Sequence, residues 1–362
     1  MKIIEKKKTQ TCESVGCGHP DKFCDFVADS ILTAYLKVDS KAHIACEVCA
    51  FNKTIVIGGE FNSSKHIDKI NIAKQCLKKI WPEYYSEYEI IDKSTIQSSE
   101  INSKVSINET SIGAGDQGIT VGYACNENSY YLPTAHVLAS LIMKEINESN
   151  YKDFYKDTKT LVSIDENNEA KIILAVSHKK NYNKKNAEVY INNLISKIIK
   201  KNKFNIKKFA ISLNMAGDFT IHGSIGDSGL TGRKLAVDTY GSIANHGGGA
   251  FSGKDYTKVD RSGAYYARWI AKNIVANKLA DIAEVRLSWE IGNPKPITIE
   301  IECFKTNKIP MADINAKVLK NFNLTVYEII KTLNLKTINY AGTTNYCHFI
   351  GNHSWEKIIK LK

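Results

Sequence analysis

The chain has 362 residues, 43% hydrophobic and 24% charged, with a formal net charge of +11. That length suits two or three domains with well-buried cores in an ordinary soluble protein. The first ten residues are charged and carry no apolar h-region, and even the apolar run 264–275 is broken by Arg268 and Lys272, so neither a secretory signal nor a membrane span is expected. A cytoplasmic location follows as the expectation. The positive excess sits in scattered Lys/Asn-rich stretches such as 179–208, without a helix-turn-helix, zinc-finger or RRM signature. An anionic small substrate, with a lysine-biased surface, explains the charge at least as well as a nucleic acid does.

His19-Pro20-Asp21-Lys22 predicts a helix start with proline in the first turn, and Phe23, Val27, Ile31 and Ala34 carry it to about Val38. Taken alone, His19 fits a cap and Asp21 a first-turn carboxylate. Residues 44–51 and 54–60 alternate around Asn52-Lys53 as a hairpin, with Glu47 and Glu60 on its strands. Cys46 and Cys49 form a C-x-x-C on such a strand, where residues three apart face opposite sides, so structural thiols are expected rather than a metal site. The nine cysteines suit reduced thiols.

A lysine-rich helical pattern covers 62–82, a polar loop 97–111, and a tight turn Gly113–Gly118. Asp157-Thr158-Lys159 reads as lying before a strand. Residues 186–200 predict an amphipathic helix with Ala187, Ile191, Leu194 and Ile198 inward and a solvated lysine face. Strands are expected at 206–213 and 235–240, and a long helix with Asp260 as its N-cap. Strand then helix fills 283–304 and 311–350. The mixture lacks strict βαβ alternation, which argues for an α+β fold.

Two glycine-rich, basic segments carry the functional signal. Gly247 to Arg261 places four glycines in seven residues and then Lys254, Asp255, Lys258, Asp260 and Arg261. Gly226 to Lys234 repeats the theme upstream and ends in Arg233-Lys234. Glycines let backbone amides approach a ligand, and cations with carboxylates suit a polyphosphate and its metal. The bland alternative is a pair of glycine-rich surface loops with solvated charges.

These segments, with Glu13-Ser14-Val15…Gly18-His19-Pro20-Asp21-Lys22, Gly113-Ala114-Gly115-Asp116-Gln117-Gly118 and Val237-Asp238-Thr239-Tyr240-Gly241, resemble the S-adenosylmethionine synthetases in the right order. The resemblance runs from about residue 12 to Trp355-Glu356. It implies three similar α/β subdomains with mixed sheets, divided here as 1–100, 112–222 and 223–362, with sheet faces packed at a dimer interface. It also implies a mobile active-site loop over 97–111. The implied reaction joins ATP to L-methionine by adenosyl transfer to the sulfur, followed by cleavage of the triphosphate to pyrophosphate and phosphate.

By the same resemblance, His19, Lys159, Arg233, Lys254 and Lys258 carry the catalysis. ATP would be held by His19, Asp157, Lys159, Asp218, Phe219, Asp227, Arg233, Lys234, Ala250 and Lys254. Methionine would be held by Glu60, Gln97, Asp116, Asp227 and Lys258. Asp21 and Asp260 would bind magnesium, two ions per site being expected, and Glu47 potassium. A homodimer or homotetramer with active sites shared between subunits completes the implied picture.

Two other readings compete. Gly248 to Lys254 satisfies G-x-x-x-x-G-K of a P-loop NTPase, but Asp255 follows where Ser or Thr is needed. An impaired member of the same family is the other, because Gly16-Cys17, Asn214-Met215-Ala216-Gly217, Asp218 and Tyr256 depart from the family pattern. Asp218 reverses a charge beside the expected nucleotide.

Overall fold

The structure, a computed structural model, describes residues 9–96, 106–108, 111–149 and 151–362. Gln97 and most of the loop expected over 97–111 lie outside the described residues. In chain order, strand β1 (Gln10–Val15) leads through Gly16–Gly18 into helix α1 (Pro20–Val38). Proline at the first position and the His19 side chain, which accepts from the Asp21 amide, start the helix where the sequence predicts. The hairpin follows as β2 (His43–Phe51) and β3 (Thr54–Asn62), then α2 (Lys69–Ile80) and β4 (Glu89–Asp92).

Next come β5 (Ser106–Asn108), β6 (Ser111–Ile112), β7 (Gly118–Cys125), α3 (Thr134–Glu148), β8 (Phe154–Ile164), β9 (Glu169–His178), α4 (Lys184–Asn202) and β10 (Lys208–Leu213). The chain ends with β11 (Gly229–Leu230), α5 (Leu235–Asp238), α6 (Val259–Ala276), β12 (Ile282–Trp289), β13 (Thr298–Glu302), α7 (Met311–Asn321), α8 (Val326–Thr332) and short 3-10 turns.

Three larger sheets organise the molecule, in the orders β1-β8-β9-β10, β11-β2-β3-β4 and β13-β12-β7. The first two are mixed: β10 runs parallel to β9 and β4 parallel to β3. The third is antiparallel. Helices lie against each: α1 on β2, α3 on β1 and β8, and α6 on β7 and β12. Each sheet borrows a strand from a distant segment. β1 joins β8, β11 joins β2, and β7 joins β12. The sheets are therefore interleaved along the chain.

In the β2–β3 sheet, Ile44, Cys46, Val48 and Ala50 are buried on the side of α1. The other face carries Glu47, Cys49 and Phe51, with Val56 and Glu60 beside them, and Phe51 is 46% exposed there. Cys46 and Cys49 thus face opposite sides, as expected of structural thiols.

Several local readings need correction. Asp157 and Lys159 lie inside β8 rather than before it, because β8 is extended at its start to pair with His178 and then β1. The stretch 235–240 is a helical turn, not a strand, and it delivers Asp238 into the core against Lys22. On α4, Ile195 is fully buried as well, while the expected Leu194 is half-buried against the core. Helix α6 starts at Val259, with Lys258 in the N-cap position, so Asp260 sits in the first turn instead of capping it.

Candidate active site

The site is assembled on one face of α1. Asp21, Asp25 and Asp29 recur every fourth residue, which stacks them on one side of the helix. All three are essentially buried, and each accepts a backbone amide from a glycine-rich segment. Asp21 Oδ1 accepts from Leu230 N at 2.9 Å, Asp25 Oδ1 from Gly232 N at 2.8 Å, and Asp29 Oδ1 from Gly253 N at 2.8 Å. A buried carboxylate needs a cation as well as amides, and each has one. Lys234 Nζ lies 2.5 Å from Asp21, Lys22 Nζ 3.0 Å from Asp25, and Arg261 donates to both oxygens of Asp29, one bond being 2.7 Å.

The two glycine-rich segments meet in this frame. A Cβ on Gly232 would strike that of Ala250 at 2.6 Å, and one on Gly253 would strike Cys46 O at 2.0 Å. Gly253 also has φ +81°, so only glycine lets the loop pass this close to β2. Cys46 N donates to Gly253 O, and Asp255 N to Ile44 O, which seats the loop along the strand. Lys254 then reaches Asp260 in the first turn of α6, and Lys258 Nζ lies 3.0 Å from Asp255. Gly115 packs beside the Lys258 side chain, which brings the Gly113–Gly118 turn and Asp116 to this edge.

Electrostatics join the remaining residues. Burial, with Lys234 next and Lys159 further down, pushes the His19 imidazole down to about 4, so it is neutral at pH 7. Its Nδ1 accepts from Asp21 N at 3.2 Å, which leaves the proton on Nε2 as a donor. Burial pushes Asp157 up to about 7, opposed by its bond from Gly223 N and reinforced by exposed Asp227. Lys159 is half exposed and pairs with Glu13 at 2.9 Å, while Arg233 stands 3.6 Å from Asp21. Partial desolvation by surrounding chain raises Glu47, although its side chain is exposed on β2, with Lys254 pulling the other way.

The expected set is brought together unevenly. His19, Asp21, Asp157, Lys159, Asp227, Arg233, Lys234, Ala250, Lys254, Lys258 and Asp260 converge around α1 and the two segments. Glu60 lies across β2 from Lys254, two strand spacings or about 10 Å away in backbone terms. Phe219 is held near the end of β9, exchanging bonds with His178, and Asp218 is exposed in the turn before it.

Two residues that read as ligand-binding in the sequence serve the framework instead. Arg261 is fully buried against Asp29, and Asp255 accepts from Ile44 N, Thr257 and Lys258. Conversely, Lys22 and Asp238 stand inside the quoted motifs without an assigned role, and the motifs pass over Asp25 and Asp29. The four-residue spacing of the acids is the visible signal for them.

Among the described residues no group of three or more His, Cys, Asp or Glu could hold a metal unaided. Magnesium commonly takes one or two carboxylates and completes its shell with phosphate oxygens and water. Asp21 and Asp260 fit that limited role. Glu47, expected at potassium, is a lone carboxylate on the exposed face of β2.

Comparison with known proteins agrees along the whole chain. Models of the S-adenosylmethionine synthetase N-terminal, central and C-terminal domains match residues 7–112, 111–219 and 221–357. The S-adenosylmethionine synthase of Mycoplasma capricolum is 41% identical over 376 residues, covering 99% of this chain and 96% of that protein. That of Mycoplasmopsis synoviae is 41% identical, covering 98% and 96%. The structure of an unusual S-adenosylmethionine synthetase from Campylobacter jejuni superposes with a TM-score of 0.86 at 33% identity, covering 97% of each chain. The chain belongs to the S-adenosylmethionine synthetase family.

Proposed function

We propose that this chain makes S-adenosylmethionine from ATP and L-methionine at the face of α1, as a methionine adenosyltransferase. One observation supports the site most directly: both carboxylates assigned to magnesium are paired with lysines assigned to phosphate, Asp21 with Lys234 and Asp260 with Lys254. These pairs keep opposite charges side by side where a triphosphate and its metal would bind. Lys234 and Lys254 would hold phosphate oxygens, and Asp21 and Asp260 would hold the metal. When bound, magnesium supplies charge neutralisation on the triphosphate. Potassium at Glu47 is part of the proposal, and no step rests on it.

The methionine sulfur attacks C5′ of ATP. A carbon–sulfur bond forms, the C5′–oxygen bond breaks, and its electron pair leaves with the triphosphate. Water then splits the triphosphate into pyrophosphate and phosphate. A thioether needs no base, so the residues act by position and charge. Neutral His19 donates from Nε2 toward the leaving oxygen, and Lys159, Arg233, Lys234 and Lys254 face the phosphates. Lys258, beside the Gly113–Gly118 turn, stands nearer methionine, with Asp116 and Asp227 at that edge. Asp157, Asp218, Phe219 and Ala250 line the nucleotide. Glu60 and Gln97 are proposed methionine contacts acting on a site of a second copy.

The β2–β3 face with half-buried Cys49 and Val56 and exposed Phe51 supports a homodimer at least, or a tetramer built from it. None of the nine cysteines forms a disulfide, and all are buried except half-buried Cys49, in keeping with the proposed reducing, cytoplasmic location. Among the described residues no helix is long and apolar enough to cross a membrane.

The departures from the family pattern are accommodated. A Cβ at Gly16 would meet Thr158 Oγ1 at 2.2 Å, and Cys17 N donates to Asn147 at 2.7 Å. Tyr256 is buried with its hydroxyl on Ser40 O. Exposed Asp218 is screened by solvent. The P-loop reading is not favoured: among the described residues no strand runs into Gly248, and Asp255 is committed to backbone amides. Incubating the protein with ATP, methionine, Mg²⁺ and K⁺ should yield S-adenosylmethionine by mass spectrometry, with pyrophosphate and phosphate. ATP turnover indifferent to methionine would overturn the reading.

A further inference from the structure

The structure assigns one shared role to Asp25 and Asp29, as positioning residues that set the two phosphate-binding strings in register on α1. The proposal rests on the reading of Arg233, Lys234 and Lys254 as phosphate cations. Each acid takes the amide of the glycine directly before such a cation, Gly232 before Arg233-Lys234 and Gly253 before Lys254. Because Asp25 and Asp29 are one helical turn apart, the spacing between the strings is fixed by the pitch of α1.

The Asp29 clamp grips from both sides. Asp29 accepts from Gly253 N, while Arg261, bound to Asp29 through two nitrogens, donates from Nη1 to Lys254 O at 3.0 Å. The backbone of residues 253 and 254 is therefore held at its amide and its carbonyl, leaving the Lys254 side chain free to turn between Asp260 and a phosphate. The Asp25 clamp is completed by Lys22, which also binds Asp238 at 2.6 Å. The two clamps approach each other in the core without a continuous hydrogen-bond chain, since His348 Nε2 has no hydrogen-bond partner among the described residues. Asp238 lies 3.8 Å from His348 Nε2, His348 Nδ1 meets Tyr265 OH at 2.7 Å, and Arg261 Nε donates to that hydroxyl at 3.1 Å. All of these groups are buried.

Arg261→Lys keeps the charge that neutralises Asp29 but cannot hold two carboxylate oxygens and a carbonyl in one planar fork. Asp25→Asn keeps an oxygen for Gly232 N and leaves Lys22 paired with Asp238. In each variant, kcat for S-adenosylmethionine formation per folded molecule should fall by about 100-fold, the scale for a misplacement near 1 Å. KM for methionine should change by less than about three-fold, since that contact is untouched. Hydrogen exchange should rise over 247–255 in Arg261→Lys and over 229–234 in Asp25→Asn, with the rest of the chain unchanged.

Wild-type kcat in a folded variant, or a lowered Tm with full kcat per folded molecule and no local exchange, overturns the proposal. If Arg261→Lys fails to fold, Asp25→Asn decides alone. If the wild-type protein makes no S-adenosylmethionine, the functional reading has failed, and the exchange data still decide whether the clamps hold the strings.

Discussion

Helices α1 and α4 are both 19 residues long, yet they use charge in opposite ways. On α1 the charged side chains Asp21, Lys22, Asp25 and Asp29 are buried, each with a defined partner brought by a distant segment. On α4 only Ala187, Ile191, Ile195 and Ile198 are buried, and Lys184, Lys185, Lys197, Lys200 and Lys201 face solvent. Charge on α1 is directional and specific. On α4 it keeps a surface wet, and its high count contributes to a basic balance that says little about partners. Net charge is therefore a poor guide to this molecule, and the location of each charge is a good one.

The sharpest way to break the contrast is Lys22→Met. It leaves Asp25 and Asp238 buried without their shared cation, and removing one partner of such a cluster costs about 3–5 kcal/mol of stability. Urea or thermal unfolding measures it, and a loss under about 1 kcal/mol, the scale of an exposed pair, would make α1 resemble α4. Close behind in size is Lys254→Ala, which should cost about 3–4 kcal/mol of barrier in both adenosyl transfer and triphosphate cleavage. Lys258→Ala should fall harder on the methionine-dependent step. Single-turnover kinetics separate the two, and equal, small effects would mean both are ordinary surface lysines.

A third test uses pH. His19 has a folded value near 4 against an ordinary 6.5, first from burial and then from Lys234. Its neutral form is favoured in the fold, so its contribution to stability is complete above pH 6.5 and is lost as pH falls through 4. NMR titration should show a ring still neutral about one unit below the ordinary value, and His19→Asn should flatten the acid side of the stability curve. A midpoint near 6.5 would place the ring in open solvent. Smallest of all is Lys197→Ala on α4, which should shift stability by no more than about 0.5 kcal/mol and leave turnover unchanged.

Local patterns announce the start of α1, the β2–β3 hairpin and the glycine-rich segments, because proline, alternation and glycine act within a few residues. The ordered motifs carry the family. The partners of α1 are harder to see. The i, i+4, i+8 spacing of Asp21, Asp25 and Asp29 is plain in the sequence, but their burial depends on Gly232, Gly253 and Arg261, which lie 207, 224 and 232 residues from their acids. Arg261 misleads for the same reason: beside a glycine-rich loop, a cation looks like a ligand donor until its carboxylate is located. The stretch 235–240 has strand-like residues, yet the need to deliver Asp238 to Lys22 overrides that preference.

The interleaved sheets bear on how the protein is made. β1 is synthesised early but pairs with β8, and Gln10 must wait for Ile164. Asp29 waits longer still, for Arg261, which lies 232 residues downstream. No segment leaving the ribosome first can satisfy its own buried acids, so the N-terminal helix remains an unpaired, partly apolar element through most of translation. Contacts this distant in sequence slow folding and lengthen exposure to aggregation. A nascent chain halted before residue 261 should accordingly stay protease-sensitive and bind chaperones, and it should become resistant only once the last third of the polypeptide has emerged.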